Sequence, residues 1–336
     1  MNEQQPIRLS IIIPVFNRPA EAGELLESLC SQTCSDFEVI VVEDGSSVTC
    51  EKQVQAYESR LSIRYFMKPN SGPGQSRNYG CEKAQGNYVV FLDSDCVVPP
   101  TYVEAVMNRL TTDYVEAFGG PDRADEQFSA LQKAINYAMT SFFTTGGIRG
   151  GGEKLDKFYP RSFNMGYSKT VFEQTHGFST MRFGEDIDMS IRILKQGFRT
   201  ALVKDAFVYH KRRSNLRQFF KQVFNSGIAR IVLFKKHPES LKLVHTFPSL
   251  FVLGTLGLVV LSICWNIWFL FPLLVYTGLV LLDATIRNRS LNVGLLAVVA
   301  SFVQLGGYGS GFLMACWKII LLKNESYSAF VNNFYK

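Results

Sequence analysis

Short, almost unbroken apolar runs recur along the first 210 residues, each followed by a stretch in which apolar positions return every three or four residues. "LSIIIP" precedes a helical pattern over 20–31, "FEVIVVED" one over 48–57, "SIRYF" one over 75–84 and "YVVFLD" one over 102–110. A strand without polar alternation is covered on both faces, and strands that alternate with helices build βαβ units. The pattern therefore predicts an α/β fold with a mainly parallel sheet and helices on both faces. Ligands of such sheets sit beyond the carboxyl ends of the strands. Asn17, Asp44, Asp93 and Asp95 each stand just past an apolar run, so this rule gathers them along one edge.

The pattern changes after residue 245. Residues 246–282 carry no charge over 37 positions, and 291–317 carry none over 27. A bilayer span needs about 20 residues, so the first run holds a hairpin of two helices and the second holds one. A bend at "WNIW" (265–268) puts two tryptophans at the far interface, as aromatic belts do. Within the second run "GGYGSG" (306–311) either passes through a continuous span, the favoured reading, or breaks it into a re-entrant piece. Three segments follow: 1–212 as a cytosolic catalytic domain, 213–245 as a basic amphipathic interfacial stretch, and 246–336 as a membrane region of two or three helices.

Charge refines this picture. The net charge of +6 and pI near 8.9 are modest. The basic residues nonetheless crowd into one place, with Lys211, Arg212, Arg213, Arg217, Lys221, Arg230, Lys235, Lys236 and Lys242 leading into the apolar region. That position favours anionic lipid headgroups over nucleic acid, and no nucleic-acid partner is expected. "LRQFFKQVFNSGIARIVLFKK" (216–236) reads as an interfacial helix or as one packed on its own protein. Arg287 and Arg289 follow the hairpin, whose tip is uncharged, so both flanks are expected on the cytoplasmic side of an inner membrane crossed more than once. The first ten residues contain no apolar signal segment. Seven scattered cysteines lack zinc-finger spacing and read as reduced.

"FLDSDC" (91–96) raises the question of chemistry. In an extended segment Asp93 and Asp95 point to the same side, where two like charges about 4 Å apart repel by about 4 kcal/mol at an effective dielectric of about 20. Either a cation sits between them, or they merely cap a turn and the helix that starts near Thr101. "GPGQSRNYG" (72–80) lacks the residues of a P-loop or a dinucleotide fingerprint. It still offers Arg77 and a helix start to an anion. In "RFGEDIDMSIRILKQG" the acids Glu185, Asp186 and Asp188 open a helix, where they suit the dipole whether or not they react. The glycine-rich 144–154 is either a closing loop or a plain connection.

Taken together, "SIIIPVFNRP", "VVEDGSS", "GPGQSRNYG", "FLDSDC", "FNMGYSKTVFEQTHGF" and "FGEDIDMSIRIL" resemble, in order and spacing, glycosyltransferase family 2, across about residues 8–210. That resemblance implies a GT-A fold, a nucleotide-sugar donor and inversion at the anomeric carbon. It implies that Pro14 and Asn17 line the nucleotide pocket, that Asp44 contacts the base or ribose, and that Arg77 contacts the nucleotide. "DSD" matches the family's DxD motif, which implies Asp93 at the ribose or metal and Asp95 on a divalent cation, Mg2+ or Mn2+. Asp186 matches the general base and Glu185 an acceptor-side contact. His210, after a short strand, is either structural or completes the metal or phosphate site.

The membrane segments add a glycan or polyprenyl-linked acceptor and a role in polysaccharide biosynthesis to these expectations. A processive polysaccharide synthase is the nearest rival, but no Gln-x-x-Arg-Trp motif follows Asp186, and two or three spans are few for a channel. A sugar nucleotidyltransferase would carry a basic glycine-rich loop where this chain has "PVFNRPAEAG". A scaffold that has lost catalysis has no need of intact acid pairs.

Overall fold

The computed structural model describes residues 6–123, 128–145, 158–210, 213–324 and 327. The chain forms two compact units, 1–125 with 155–211, and 126–154 with 212–336. The stretch 126–154, inside the expected catalytic span of 1–212, thus groups with the helices of the second unit.

The first unit begins with β1 (Leu9–Val15), α1 (Pro19–Cys30), β2 (Phe37–Asp44), α2 (Glu51–Tyr57), β3 (Ile63–Lys68), α3 (Pro73–Lys83) and β4 (Tyr88–Leu92). These are the strands and helices read from the apolar runs, with ends shifted by a few residues. Alternate residues of one strand enter opposite cores. Ile11 and Ile13 pack with Leu25, Val39 and Val90, whereas Ile12 packs with Ile40, Val89 and Phe91. Burial on both faces is what removed polar alternation from the sequence.

After β5 (Cys96–Val97) and α4 (Tyr102–Thr112) come β6 (Ala117–Gly119) and β7 (Asp122–Arg123). The helices α5 (Ala130–Thr140) and α6 (Phe142–Thr145) belong to the second unit. The first unit resumes with β8 (Asn164–Ser168), α7 (Lys169–Thr175), α8 (Glu185–Lys195), β9 (Thr200–Leu202) and β10 (Val208–His210). Seven strands form one sheet in the order β3-β2-β1-β4-β8-β6-β9. All neighbours are parallel except β8, which runs against both β4 and β6. Reversal of β8 brings its first residues to the edge where β4 ends, because Leu92 pairs with Asn164. A small second sheet, β5-β10-β7, pairs Cys96 with His210.

In the second unit α9 (Leu216–Lys236), α10 (Phe247–Cys264), α11 (Phe271–Asn288) and α12 (Leu291–Ala315) follow, with a π-helical end over Cys316–Leu321. Three segments, Leu243–Cys264, Ile267–Asn288 and Leu291–Leu321, are long and apolar enough to cross a membrane. The bend falls at the expected "WNIW", where Asn266 caps the next turn by accepting from the Trp268 N–H at 3.0 Å. The glycine run 306–311 does not break α12. Its glycines allow close helix packing instead: a Cβ on Gly311 would stand 2.0 Å from the Phe224 carbonyl oxygen, and one on Gly309 2.3 Å from that of Pro248. Helix α9 buries Phe219, Val223, Ile228 and Ile231, and the first two share an apolar cluster with Ala297 and Ala300 of α12.

Candidate active site

Past β1, Asn17 adopts a left-handed backbone with φ 53°. Its side-chain oxygen accepts from the N–H groups of Ser47 and Val48 at 2.8 and 3.0 Å, and its own N–H donates to Ser46 Oγ at 2.8 Å. Ser46 is anchored in turn by Glu43, which is fully buried and also accepts from Cys50 N and Tyr65 OH at 2.9 and 3.0 Å. Glu43 is not among the residues expected at the site; its signal in the sequence is an acid at the end of an apolar run. Pro14, half-buried, pairs with Val42 near the end of β1. Asp44 is 2% exposed and accepts from Lys68 Nζ, Ser71 N, Gly72 N and Asn70 Nδ2, so both its oxygens organise the turn into α3.

The "DSD" segment is a turn, closed by Cys96 N donating to Asp93 O at 3.0 Å, and so the strand-like alternation expected for the two acids does not hold. Each acid has its own cation. Arg77 Nη2 donates to Asp93 Oδ1 at 2.6 Å, while Asp95 accepts from Arg18 Nη1 and lies 3.1 Å from His210 Nε2. Arg77, expected at the nucleotide, is 2% exposed, and its other amino group reaches Glu185 Oε1 at 3.2 Å. It links the "DSD" turn to α8 from below. Arg18 belongs to the "SIIIPVFNRP" motif, which by itself implies no partner for it.

Burial pushes the Asp95 carboxyl up, but the charges and hydrogen bonds of His210 and Arg18 outweigh it and hold the group well below the usual carboxylate range. Ligand atoms of Asp95, Cys96 and His210 lie within 4.8 Å of one another. Burial pushes the Cys96 thiol well up, and its Sγ contacts Phe163 O at 3.7 Å; a soft sulfur also suits Mg2+ or Mn2+ poorly. A carboxylate oxygen and an imidazole nitrogen remain. That pair fits a hydrated Mg2+ or Mn2+ whose other positions go to water or phosphate oxygens.

Gly184, at φ 81°, turns the chain into α8, whose first three acids are buried. Asp188 is taken up by Arg192 at 3.0 Å, which also donates to Gly177 O at 2.7 Å, a tie to the turn after α7. Asp186 Oδ2 accepts from Arg161 Nε at 2.6 Å and Oδ1 from the Ile187 N–H at 2.8 Å. Burial acts to raise Asp186, yet Arg161, that N–H and Arg77 bring it below its ordinary value. Glu185 goes the other way: burial and the Asp186 charge push it up to about 7 against the pull of Arg77. Two adjacent carboxyls with opposed shifts are a recurrent acid-base arrangement. Arg161 was not foreseen, because it reaches the site only through the reversed direction of β8.

Residues 146–157, most of the glycine-rich stretch, lie outside the described residues, as do Lys211 and Arg212.

An uncharacterized glycosyltransferase of Rickettsia bellii is 42% identical over 88 residues, 26% of this chain and 13% of that protein. Chondroitin synthase of Escherichia coli is 40% identical over 116 residues, 34% of this chain and 17% of that enzyme. The matched stretches thus cover under a fifth of either relative. The mannosyltransferase PcManGT from Pyrobaculum calidifontis, in complex with GDP-Man and Mn2+, superposes with a TM-score of 0.57 at 17% identity, over 96% of this chain and 89% of that one. Its likeness is one of fold, and the fold is GT-A. The sequence profile described as Glycosyl transferase family 2 matches residues 10–184, just over half of the 336, and the chain belongs to that family.

Proposed function

We propose that the protein transfers a sugar, with inversion, from a nucleotide-sugar donor to a glycan or lipid-linked acceptor at the cytoplasmic face of a membrane. The carrying observation is the convergence of two acid sites on one sheet edge, Asp95 with His210 and Glu185 with Asp186, joined through Arg77 and Asp93. A divalent cation held by Asp95 and His210 would offset the charge that develops on the leaving diphosphate. Asp186 would accept the proton of the acceptor hydroxyl as that oxygen attacks the anomeric carbon and the bond to the diphosphate breaks. Its depressed pKa keeps it ionised at neutral pH. Asn17 and Asp44 hold the loops around a nucleotide pocket. The GDP-Man and Mn2+ of the mannosyltransferase with the same fold support a donor and metal of this kind. Three apolar helices and the basic flanks Arg230, Lys235, Lys236, Lys242, Arg287 and Arg289 support a membrane location with the flanks in the cytoplasm.

Detergent-purified protein is incubated with UDP- and GDP-sugars and Mn2+, and nucleoside diphosphate release is followed. Asp186→Asn is expected to lose roughly a hundred- to ten-thousand-fold in rate with donor affinity preserved. Near-normal turnover in that variant removes Asp186 from the base role. Release of pyrophosphate instead of nucleoside diphosphate overturns glycosyl transfer itself.

A further inference from the structure

Arg161 stands against the proposed base but belongs to none of the acid motifs. Its backbone is firmly held. Arg161 O accepts from Asn164 N at 3.0 Å, and the buried Asn164 side chain bonds both Tyr102 OH, at 2.7 Å, and Ala206 O, at 2.8 Å. From that anchor the side chain reaches α8 and donates through Nε to Asp186 Oδ2. The arginine side chain is 41% exposed and the aspartate 11%, so the carboxylate is the more buried partner of the pair. A carboxylate has about four acceptor positions, and Arg161 and the Ile187 N–H take two. The rest are left for an acceptor hydroxyl.

We propose that Arg161 is a positioning residue for the general base, fixing the orientation of the Asp186 carboxylate and keeping it charged for proton transfer. This rests on the reading of Asp186 as base. A mere tether between the segment before β8 and α8 would contribute to folding and nothing else. Among the described residues, the charged groups around Asp186 are Arg161 from that segment, Arg77 from α3, and Glu185 and Asp188 on its own helix, with Asp93 and Asp122 interacting with Arg77 and Arg161 respectively. Arg77 already serves Asp93 and Glu185. Arg161 is therefore the cation whose removal changes Asp186 most.

Donor hydrolysis by the full chain, with UDP-GlcNAc and GDP-mannose as trial donors and Mn2+ present, is measured from about pH 3 to about pH 9 in wild type, Arg161→Gln and Arg161→Lys. The acid limb should move up by about one pH unit or more in Arg161→Gln, with the rate recovering in part at high pH. Arg161→Lys should restore the limb but not the full rate, since a point charge lacks the planar fork. An equal loss at every pH, with the limb unmoved, overturns the proposal. A parallel readout needs no turnover: infrared difference titration of the carboxylates, each protein minus its own Asp186→Asn counterpart. An Asp186 band that titrates at the same pH with and without Arg161 likewise overturns it. Normal turnover in Asp186→Asn alone would instead sink the base assignment, while the infrared result still decides whether Arg161 holds the charge.

Discussion

Glu185 and Asp186 are neighbours in sequence and share a helix start, yet the structure drives their protonation apart, with a consequence for stability. With Glu185 at about 7 in the folded protein and a free glutamate near about 4.3, the folded state retains a proton between those values that the unfolded chain has released. Stability therefore falls as pH rises through that window. Glu185→Gln keeps the hydrogen-bond acceptor for Arg77 without the titration. Its melting temperature should match wild type near pH 4.5 and exceed it increasingly toward pH 7.5; a gap independent of pH would contradict the burial argument. The sequence marked these acids through their position before an apolar helical repeat. It did not show which cation each would meet. Arg77 was legible as a cation beside a glycine-rich turn, but its 2% exposure follows from the packing of α3 under the "DSD" turn, and Arg161 depends on a strand reversal that no local pattern encodes.

At the level of elements, uninterrupted apolar runs specify strands buried on both faces, and β1, β2 and β4 were legible for that reason, while β3, a half-buried edge strand with Arg64 inside it, was legible only as a short run between turns. The short strands β5, β7 and β10 were not all legible, being two or three residues long, each with at most one residue, Cys96 or Val208, in the core, and held by pairing with one another. The glycine run of α12 was visible too, though composition alone does not distinguish a helix break from a packing groove. The geometry does. A Cβ on Gly311 would meet backbone of α9, whereas one on Gly306 meets nothing within 4 Å. Gly311→Leu should therefore destabilise the helical unit by about 1 to 3 kcal/mol, the usual cost of overpacking, and Gly306→Leu should be nearly neutral. Thermal or detergent unfolding of the two variants side by side tests this, and equal behaviour would mean the close approach of α9 to α12 is wrong.

For the whole molecule, the division into units matters more than the point where the apolar region begins. Ala134, Ile135 and Ala138 of α5, with Phe219 and Val223 of α9, share one apolar cluster with Val280 and Ala284 of α11 and Val293, Ala297 and Ala300 of α12. A chain cut at 245 removes α11 and α12 and leaves the apolar faces of α5 and α9 uncovered. At about 25 cal/mol per Å² of apolar surface, that exposure strongly favours association over a dispersed monomer. The 1–245 fragment is thus expected to aggregate or to need detergent, even though no apolar segment of spanning length remains among its described residues. A chain ending at 211, with 126–154 replaced by a flexible linker, keeps the contacts of the first unit, both cores of the sheet and every site residue from Asn17 to His210. It should be monodisperse in salt solution and still bind Mn2+, which paramagnetic resonance of the free ion can follow. Monodisperse 1–245 without detergent, or an unfolded linker form ending at 211, would show that the cluster joining α5 and α9 to the apolar helices does not govern how this chain holds together.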